Sequence, residues 1–255
     1  RAFKYPKIFK KGQPVILGGD IPVRITGDWI VTPPKTAPGK DPEFIVINLL
    51  QARSPGTPGT KVYTIIGHVN RPGLIEVPAG VTLREVLTDY AGGMASGEFK
   101  MAQLGGTAGE ILGPEMLDVP MDYDAMTKVG HVLGSGAILI MNETVSINAF
   151  LDSCMHFFRH ESCGNCNPCR NGMKALTDIT GRLKAGQGYA GDVNLMEELV
   201  MSLKTMAYCP LGQSPAGPIM SATRYFREEV EAGVDLTLVR PDPAHIQLDL
   251  VELNV

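Results

Sequence analysis

No stretch of the 255 residues approaches the roughly 18 consecutive apolar side chains that a membrane-crossing helix needs. No charged lead-in followed by an apolar core and a small-residue cleavage site is present, so no secretory signal is written here. The chain opens at Arg1 without a methionine, as a trimmed end would. Neither sign of charge dominates: 23 Lys and Arg stand against 27 Asp and Glu, a net charge of −4. Without a basic excess nothing points to nucleic acid, and without an acidic block nothing points to a solvated tail. Internal repeats and low-complexity tracts are lacking, as are an H-E-x-x-H motif and a Ser–His–Asp order with a nucleophile elbow. Cysteine is scarce, with five residues gathered late in the chain. A secreted disulfide framework would spread an even number along the sequence, so the expected setting is reducing and cytoplasmic.

Glycine and proline are plentiful instead, 29 and 19, and concentrate in the first half. Residues 1–60 are cut by prolines at short intervals, with the β-branched runs "PVILGG", "IPVRIT" and "EFIVINLL" between them, which reads as short strands and long loops. A strand, "KVYTIIGHV", then turns through "NRPG" into "LIEVP". In "AGVTLREVLTDYAGG", Thr82 is placed to cap a helix, Glu85 to reach back to it, and Gly92 to stop it. Residues 61–145 are therefore expected to form a small grasp-like α+β module that ends in connecting strands. The "GGTAG" run at Gly105–Gly109 suits either a phosphate-binding loop or a plain turn.

From Ser146 the period changes. Ile147, Phe150, Leu151, Cys154, Met155 and Phe158 recur at helical spacing. Three more helical stretches follow, one around Met173, Leu176 and Leu183, the next from Leu195 to Met206, and the last through Ile219, Thr223, Phe226 and Val230. Short connections favour a four-helix bundle over residues 146–233, followed by a tail at 234–255. The fold class expected is thus α+β: N-terminal short strands, a β-grasp module and a C-terminal four-helix bundle.

Three of the cysteines, Cys163, Cys166 and Cys169, form C-x2-C-x2-C, and Cys209 lies 40 positions further on, after the third helix. A [4Fe–4S] cube takes one thiolate per iron, and a tight loop with one distant partner can supply four. Gly164 and Pro168 help such a loop to wrap. A four-cysteine zinc site usually draws on two separate knuckles, whereas here the middle cysteine would serve both. A thioredoxin-like pair needs no third cysteine. Cys154 falls on the apolar stripe and reads as core. Arg170 either raises the potential of a neighbouring cluster or is simply solvated or paired with a carboxylate. His156 and His160, four apart on a helix, can share a metal or stand exposed. The tail "HIQLDLVELNV" can add a strand to a partner or to the chain's own N-terminal strands.

"FFRHESCGNCNPCRNGM", "CPLGQSPAGPIMSATRYFREEVEAG" and "GHVNRPGLIEVPAGVTLREVLTDYAGG" together resemble the flavoprotein (51 kDa-type) subunit of respiratory NADH dehydrogenase and its relatives in NAD-linked hydrogenases and formate dehydrogenases. The likeness runs from about Lys61 to Gly233. It implies a ubiquitin-like β-grasp (SLBB-like) module and a four-helix domain with a [4Fe–4S] cluster on Cys163, Cys166, Cys169 and Cys209. The family places an FMN- and NADH-binding domain earlier in the chain. Residues 1–60 are too short for one, and "ILGGD" and "SPGTPGT" lack the strand–loop–helix setting that aims N–H groups at phosphate. FMN and NAD are thus implied by the resemblance alone.

The expected function is an electron relay in a multi-subunit oxidoreductase, passing single electrons through one cluster between redox subunits of hydrogenase, formate dehydrogenase or NADH dehydrogenase type. Its expected location is cytoplasmic or peripheral to a membrane complex, and no substrate site is read in the chain. Two alternatives stand beside this: the C-terminal part of an NADH-oxidising flavoprotein, and an interaction module whose cluster is structural.

Overall fold

The computed structural model describes residues 60–241, together with the backbone of five short strands that precede them. These are β1 (Lys7–Phe9), β2 (Pro14–Leu17), β3 (Ile21–Arg24), β4 (Trp29–Thr32) and β5 (Ile45–Ile47). β1, β4 and β5 form one antiparallel sheet, and β2 and β3 a hairpin. The runs "PVILGG", "IPVRIT" and "EFIVINLL" thus each contain a strand, while the "SPGTPGT" loop up to Gly59 and the tail "HIQLDLVELNV" lie outside the described residues. The protein is a mixed α/β chain of two compact units, Arg1–Val145 and Ser146–Val255.

The first unit is built on a five-stranded sheet of β6 (Thr60–Gly67), β7 (Gly73–Pro78), β8 (Phe99–Leu104), β9 (Glu110–Leu112) and β10 (Ala137–Asn142). Its spatial order is β7-β6-β10-β8-β9. β6 and β7 form the hairpin read from the sequence, with Thr60 opposite Pro78 and Ile65 opposite Gly73. β10, the last strand, slots between them and β8–β9, parallel to β6 and antiparallel to β8. Alternation sorts the faces of β6: Tyr63 and Ile65 are buried, while Val62 and Ile66 are exposed. Each buried aliphatic side chain of this kind contributes about 1.5–3 kcal/mol. Gly67 ends the strand at φ +100°, where a Cβ would collide with the Ile140 carbonyl, so no other residue fits this crossing.

Thr82 caps the helix as its sequence implies. Its hydroxyl accepts from the Glu85 N–H at 3.1 Å, and the Glu85 carboxylate accepts from the Thr82 N–H at 2.9 Å. The helix differs from expectation after one turn. α1 (Leu83–Glu85) widens into a π turn, Val86–Tyr90, in which the Ala91 N–H bonds to the Val86 carbonyl and both Val86 and Leu87 face inward. A short helix α2 (Tyr123–Lys128), capped by Asp122, stands where only strands and turns are expected. Met126 is its one buried side chain, too little to register as an apolar stripe.

The second unit holds α3 (Ile147–Glu161), α4 (Asn167–Lys184), α5 (Asp192–Met206), α6 (Pro210–Gln213), α7 (Ala216–Tyr225) and α8 (Arg227–Glu231). Four longer helices thus lie where the period places them. Ile147, Leu151, Cys154, Met155 and Phe158 are buried along α3, with Phe150 half-buried at the stripe's edge. α5 turns Val193, Met196, Val200 and Leu203 inward, a cleaner 3.6-residue repeat than one through Leu195 and Leu199, and leaves Met206 exposed. The fourth helical stretch is broken at Phe226, whose backbone (φ −134°, ψ 34°) leaves the helical region between α7 and α8. Asp192, at the start of α5, is fully buried. Its carboxylate accepts from Arg182 at 3.0 and 3.1 Å, from Arg240 at 2.5 Å and from the Tyr189 N–H at 3.0 Å.

Candidate metal centre

The cysteine motif straddles the end of one helix and the start of the next. α3 stops at Glu161, and Ser162 leaves it in an extended conformation. Cys163 follows, exposed, and Gly164 then bends the chain at φ +69° with open space about it, so its conformation and not its size calls for glycine. Cys166 is extended at the N-cap of α4, and its carbonyl accepts the first helical bond from Arg170 at 3.0 Å. Pro168 in the first turn loses nothing by lacking an N–H. That turn carries Cys169 inward, so Cys166 and Cys169 are 8% and 4% exposed.

Gly164 is held on both sides. Its N–H donates to the Ser162 hydroxyl oxygen at 3.2 Å, and its carbonyl accepts from the Arg170 guanidinium at 2.9 Å. Arg170 also reaches Asn167, which accepts from Asn171. The arginine is exposed, as the solvated reading expects, and it also braces the cysteine loop through a carbonyl and an amide.

Cys209 arrives from the other side. Past α5 the chain extends through Ala207 to Cys209, the N-cap of α6, and Gln213 closes this turn by donating to the Ala207 carbonyl at 2.9 Å. The turn meets the cysteine loop at two points. The backbone N–H of Tyr208 acts on the Cys166 sulfur and lowers its pKa, and Gly212 lies against the Cys169 side chain, where a Cβ would stand 3.4 Å from the sulfur.

These contacts set the electrostatics. The Tyr208 and Cys169 N–H groups at the Cys166 sulfur lower its pKa from the ordinary thiol value. Burial pushes the Cys169 thiol up, the Ser162 hydroxyl opposes this, and the charges of Cys166, Cys209 and Cys163 add to the rise. The other three cysteines of the sequence motif thus stand within electrostatic reach of Cys169. Among the described residues no three His, Cys, Asp or Glu side chains are arranged to hold a single metal ion. A [4Fe–4S] cluster makes a different demand from a single ion, four thiolates with one for each iron, which is the donor chemistry that the motif offers.

The other candidates separate from this site. His156 faces Asp152 at 3.5 Å and His160 faces Glu161 at 2.9 Å, so each pairs with a carboxylate of its own helix. Cys154 is buried on the core face of α3. Gly105–Gly109 is the β8–β9 turn, its Thr107 and Gly109 carbonyls capped by the Gln103 amide, and a strand follows it where a phosphate loop would have a helix. Ser162, Gly212 and the Tyr208 N–H escape a reading for metal donors. Ser162 could have been found as a hydroxyl adjoining the first cysteine, whereas the other two act through backbone.

Residues 149–233 match the NADH-ubiquinone oxidoreductase-F iron-sulfur binding region, and residues 62–112 match the SLBB domain. The chain thus carries an F-type iron-sulfur binding region and an SLBB domain. The cofactor of the F-type region is a [4Fe–4S] cluster. The F-type component of the NADH-quinone oxidoreductase of Mycobacterium bovis is 39% identical over 198 residues, which cover 76% of this chain and 44% of the relative. The NADP-reducing hydrogenase component HndC of Solidesulfovibrio fructosivorans is 38% identical over 77% of this chain and 40% of its own. The chain therefore spans less than half the length of these F-family relatives. Among solved structures, an air-oxidised NAD+-reducing [NiFe]-hydrogenase is similar at a TM-score of 0.65 with 27% identity, over 74% of this chain and 32% of that one. No helix among the described residues is long and apolar enough to cross a membrane.

Proposed function

We propose that this chain relays single electrons through a [4Fe–4S] cluster held by Cys163, Cys166, Cys169 and Cys209, as one component of a multi-subunit oxidoreductase. The observation that carries this reading is the seating of the Cys209 turn on the cysteine loop, with Gly212 packed against the Cys169 side chain. Forty residues of sequence separate that turn from the loop, and the fold cancels the distance. The cluster, when bound, supplies a one-electron couple. The chain's own residues keep two of the sulfurs from water, aim N–H and O–H donors at them and brace the loop through Arg170.

The architecture proposed with it is a β-grasp module at 61–145 and a four-helix cluster domain at 146–233, between an N-terminal segment (1–60) and a tail (234–255). The sheet order supports the first, since its first and last strands pair in parallel at the centre with a hairpin on each flank. The division of the chain at Val145 and Ser146 supports the boundary. The proposed partners are neighbouring redox subunits and the proposed setting is a cytoplasmic or membrane-peripheral complex, which the naming of the relatives as subunits of a quinone oxidoreductase and a hydrogenase supports.

A visible spectrum of the anaerobically purified protein, before and after reductant, tests the relay. A broad brown absorption that partly bleaches is expected, and a cluster that ignores reductant would leave only a structural role. Replacing Cys209 with alanine should lower iron content as severely as replacing Cys166, and full iron retention would sink the four-ligand assignment. A second reading draws on the greater length of the relatives: the chain would be the C-terminal part of an NADH-oxidising flavoprotein. Structured flavin bands above the cluster absorption would favour it.

A further inference from the structure

We propose that Ser162 is a positioning residue for the metal centre, its hydroxyl donating a hydrogen bond to the Cys169 sulfur that makes the centre easier to reduce. The inference rests on the reading of Cys169 as a cluster ligand.

The geometry leaves the hydroxyl little choice. The Ser162 oxygen lies 3.2 Å from the Gly164 nitrogen and 3.1 Å from the Cys169 sulfur. A backbone N–H can only donate, so Gly164 occupies a lone pair of the oxygen, and the hydroxyl hydrogen remains for the sulfur. The second anchor on Gly164, the Arg170 guanidinium on its carbonyl, ties the residue on its other side. A thiolate is a pure acceptor, so the direction of donation is fixed once Cys169 binds metal.

The choice of sulfur matters as well. Cys169 is buried, which removes competing water and strengthens what polar contact it has. The other buried sulfur, Cys166, is served by backbone N–H groups, which a change of side chain other than to proline leaves in place. Ser162 serves Cys169 through a side chain, and its identity can be changed. Reduction adds negative charge to an iron–sulfur cluster and its sulfurs, and a donor aimed at a sulfur stabilises the reduced state more than the oxidised one. The hydroxyl therefore shifts the couple toward reduction. The same hydroxyl also ties the loop, and the two roles come apart in a threonine–valine pair, which differs in the hydroxyl while keeping nearly the same shape.

Redox titration of the anaerobically purified full chain, followed by the EPR signal of the reduced cluster, separates them across Ser162→Ala, Ser162→Val and Ser162→Thr. Alanine and valine should retain wild-type iron and titrate at more negative potential. At the wild-type midpoint the ratio of reduced to oxidised cluster should fall roughly three- to tenfold, tenfold being about 59 mV for one electron. Threonine should keep the wild-type midpoint. A common midpoint for all three variants would overturn the proposal, as would loss of the cluster in alanine and valine but not in threonine, which would make the hydroxyl a brace only. Iron content of Cys169→Ala separates the two levels of failure. If iron is lost there while the Ser162 midpoints stay put, only the role of Ser162 falls. If iron is fully kept, the ligand reading falls with it.

Discussion

Gly212 packs against Cys169, where a Cβ would touch the cysteine's sulfur at 3.4 Å and collide with the Cβ of Ala207 at 2.7 Å. Nothing larger than hydrogen fits without movement of α6, and α6 is the helix that Cys209 caps. Overpacking of this kind costs about 1–3 kcal/mol. Gly212→Ala is therefore expected to lower iron per chain while the helical circular dichroism holds. Unchanged iron would show that α6 can shift without moving Cys209.

Asp192 offers a test remote from the metal. Its buried carboxylate is shared by Arg182, Arg240 and the Tyr189 N–H. Asp192→Asn weakens every one of these bonds, but both arginines are partly exposed and can regain water. The expected loss is about 2–3 kcal/mol, toward the lower end for breaking a buried charged pair. Urea unfolding of the second unit's helices measures it. Arg240→Gln, which removes the more exposed partner, should cost about 1 kcal/mol or less.

Asp118 should show its pairing in acid. Arg84 grips its carboxylate with two bonds, 2.6 and 2.9 Å long, and the Arg84 hydrogen bond holds the Asp118 pKa below the ordinary 3.8. A depressed folded-state pKa stabilises the fold above the unfolded value, and that stabilisation disappears as pH falls through the folded value. NMR titration of the Asp118 carboxyl carbon should find a midpoint below 3.8, returning toward it in Arg84→Gln. A midpoint unmoved by that substitution would dismiss the pair.

What the sequence discloses and what it hides divide by range. Thr82 and Glu85 form their capping box because both partners lie within one turn. The three clustered cysteines are visible for the same reason, and Cys209 only because cysteine is so scarce elsewhere. The insertion of β10 between β6 and β8 could not be read, since strand neighbours far apart in sequence leave no periodic trace. Backbone contacts are equally silent: the Tyr208 N–H on Cys166 depends on where the chain passes and not on which residue stands there. The break at Phe226 is hidden too, because Ile219, Thr223, Phe226 and Val230 keep a helical spacing across it.

Between Cys169 and Cys209 run most of α4 and all of α5. Once both sulfurs are bonded to one inorganic core, that stretch becomes a closed ring, pinned at its base as a cross-link would pin it. Closing a loop of about 40 residues removes freedom from the unfolded chain equivalent to about 4 kcal/mol in the chain-entropy picture. Iron would then act as a topological fastener as well as an electron carrier. A chain stripped of it loses the tie that keeps two helices from parting, so protease access to the 185–191 connection would report on cluster loading without any electron being moved.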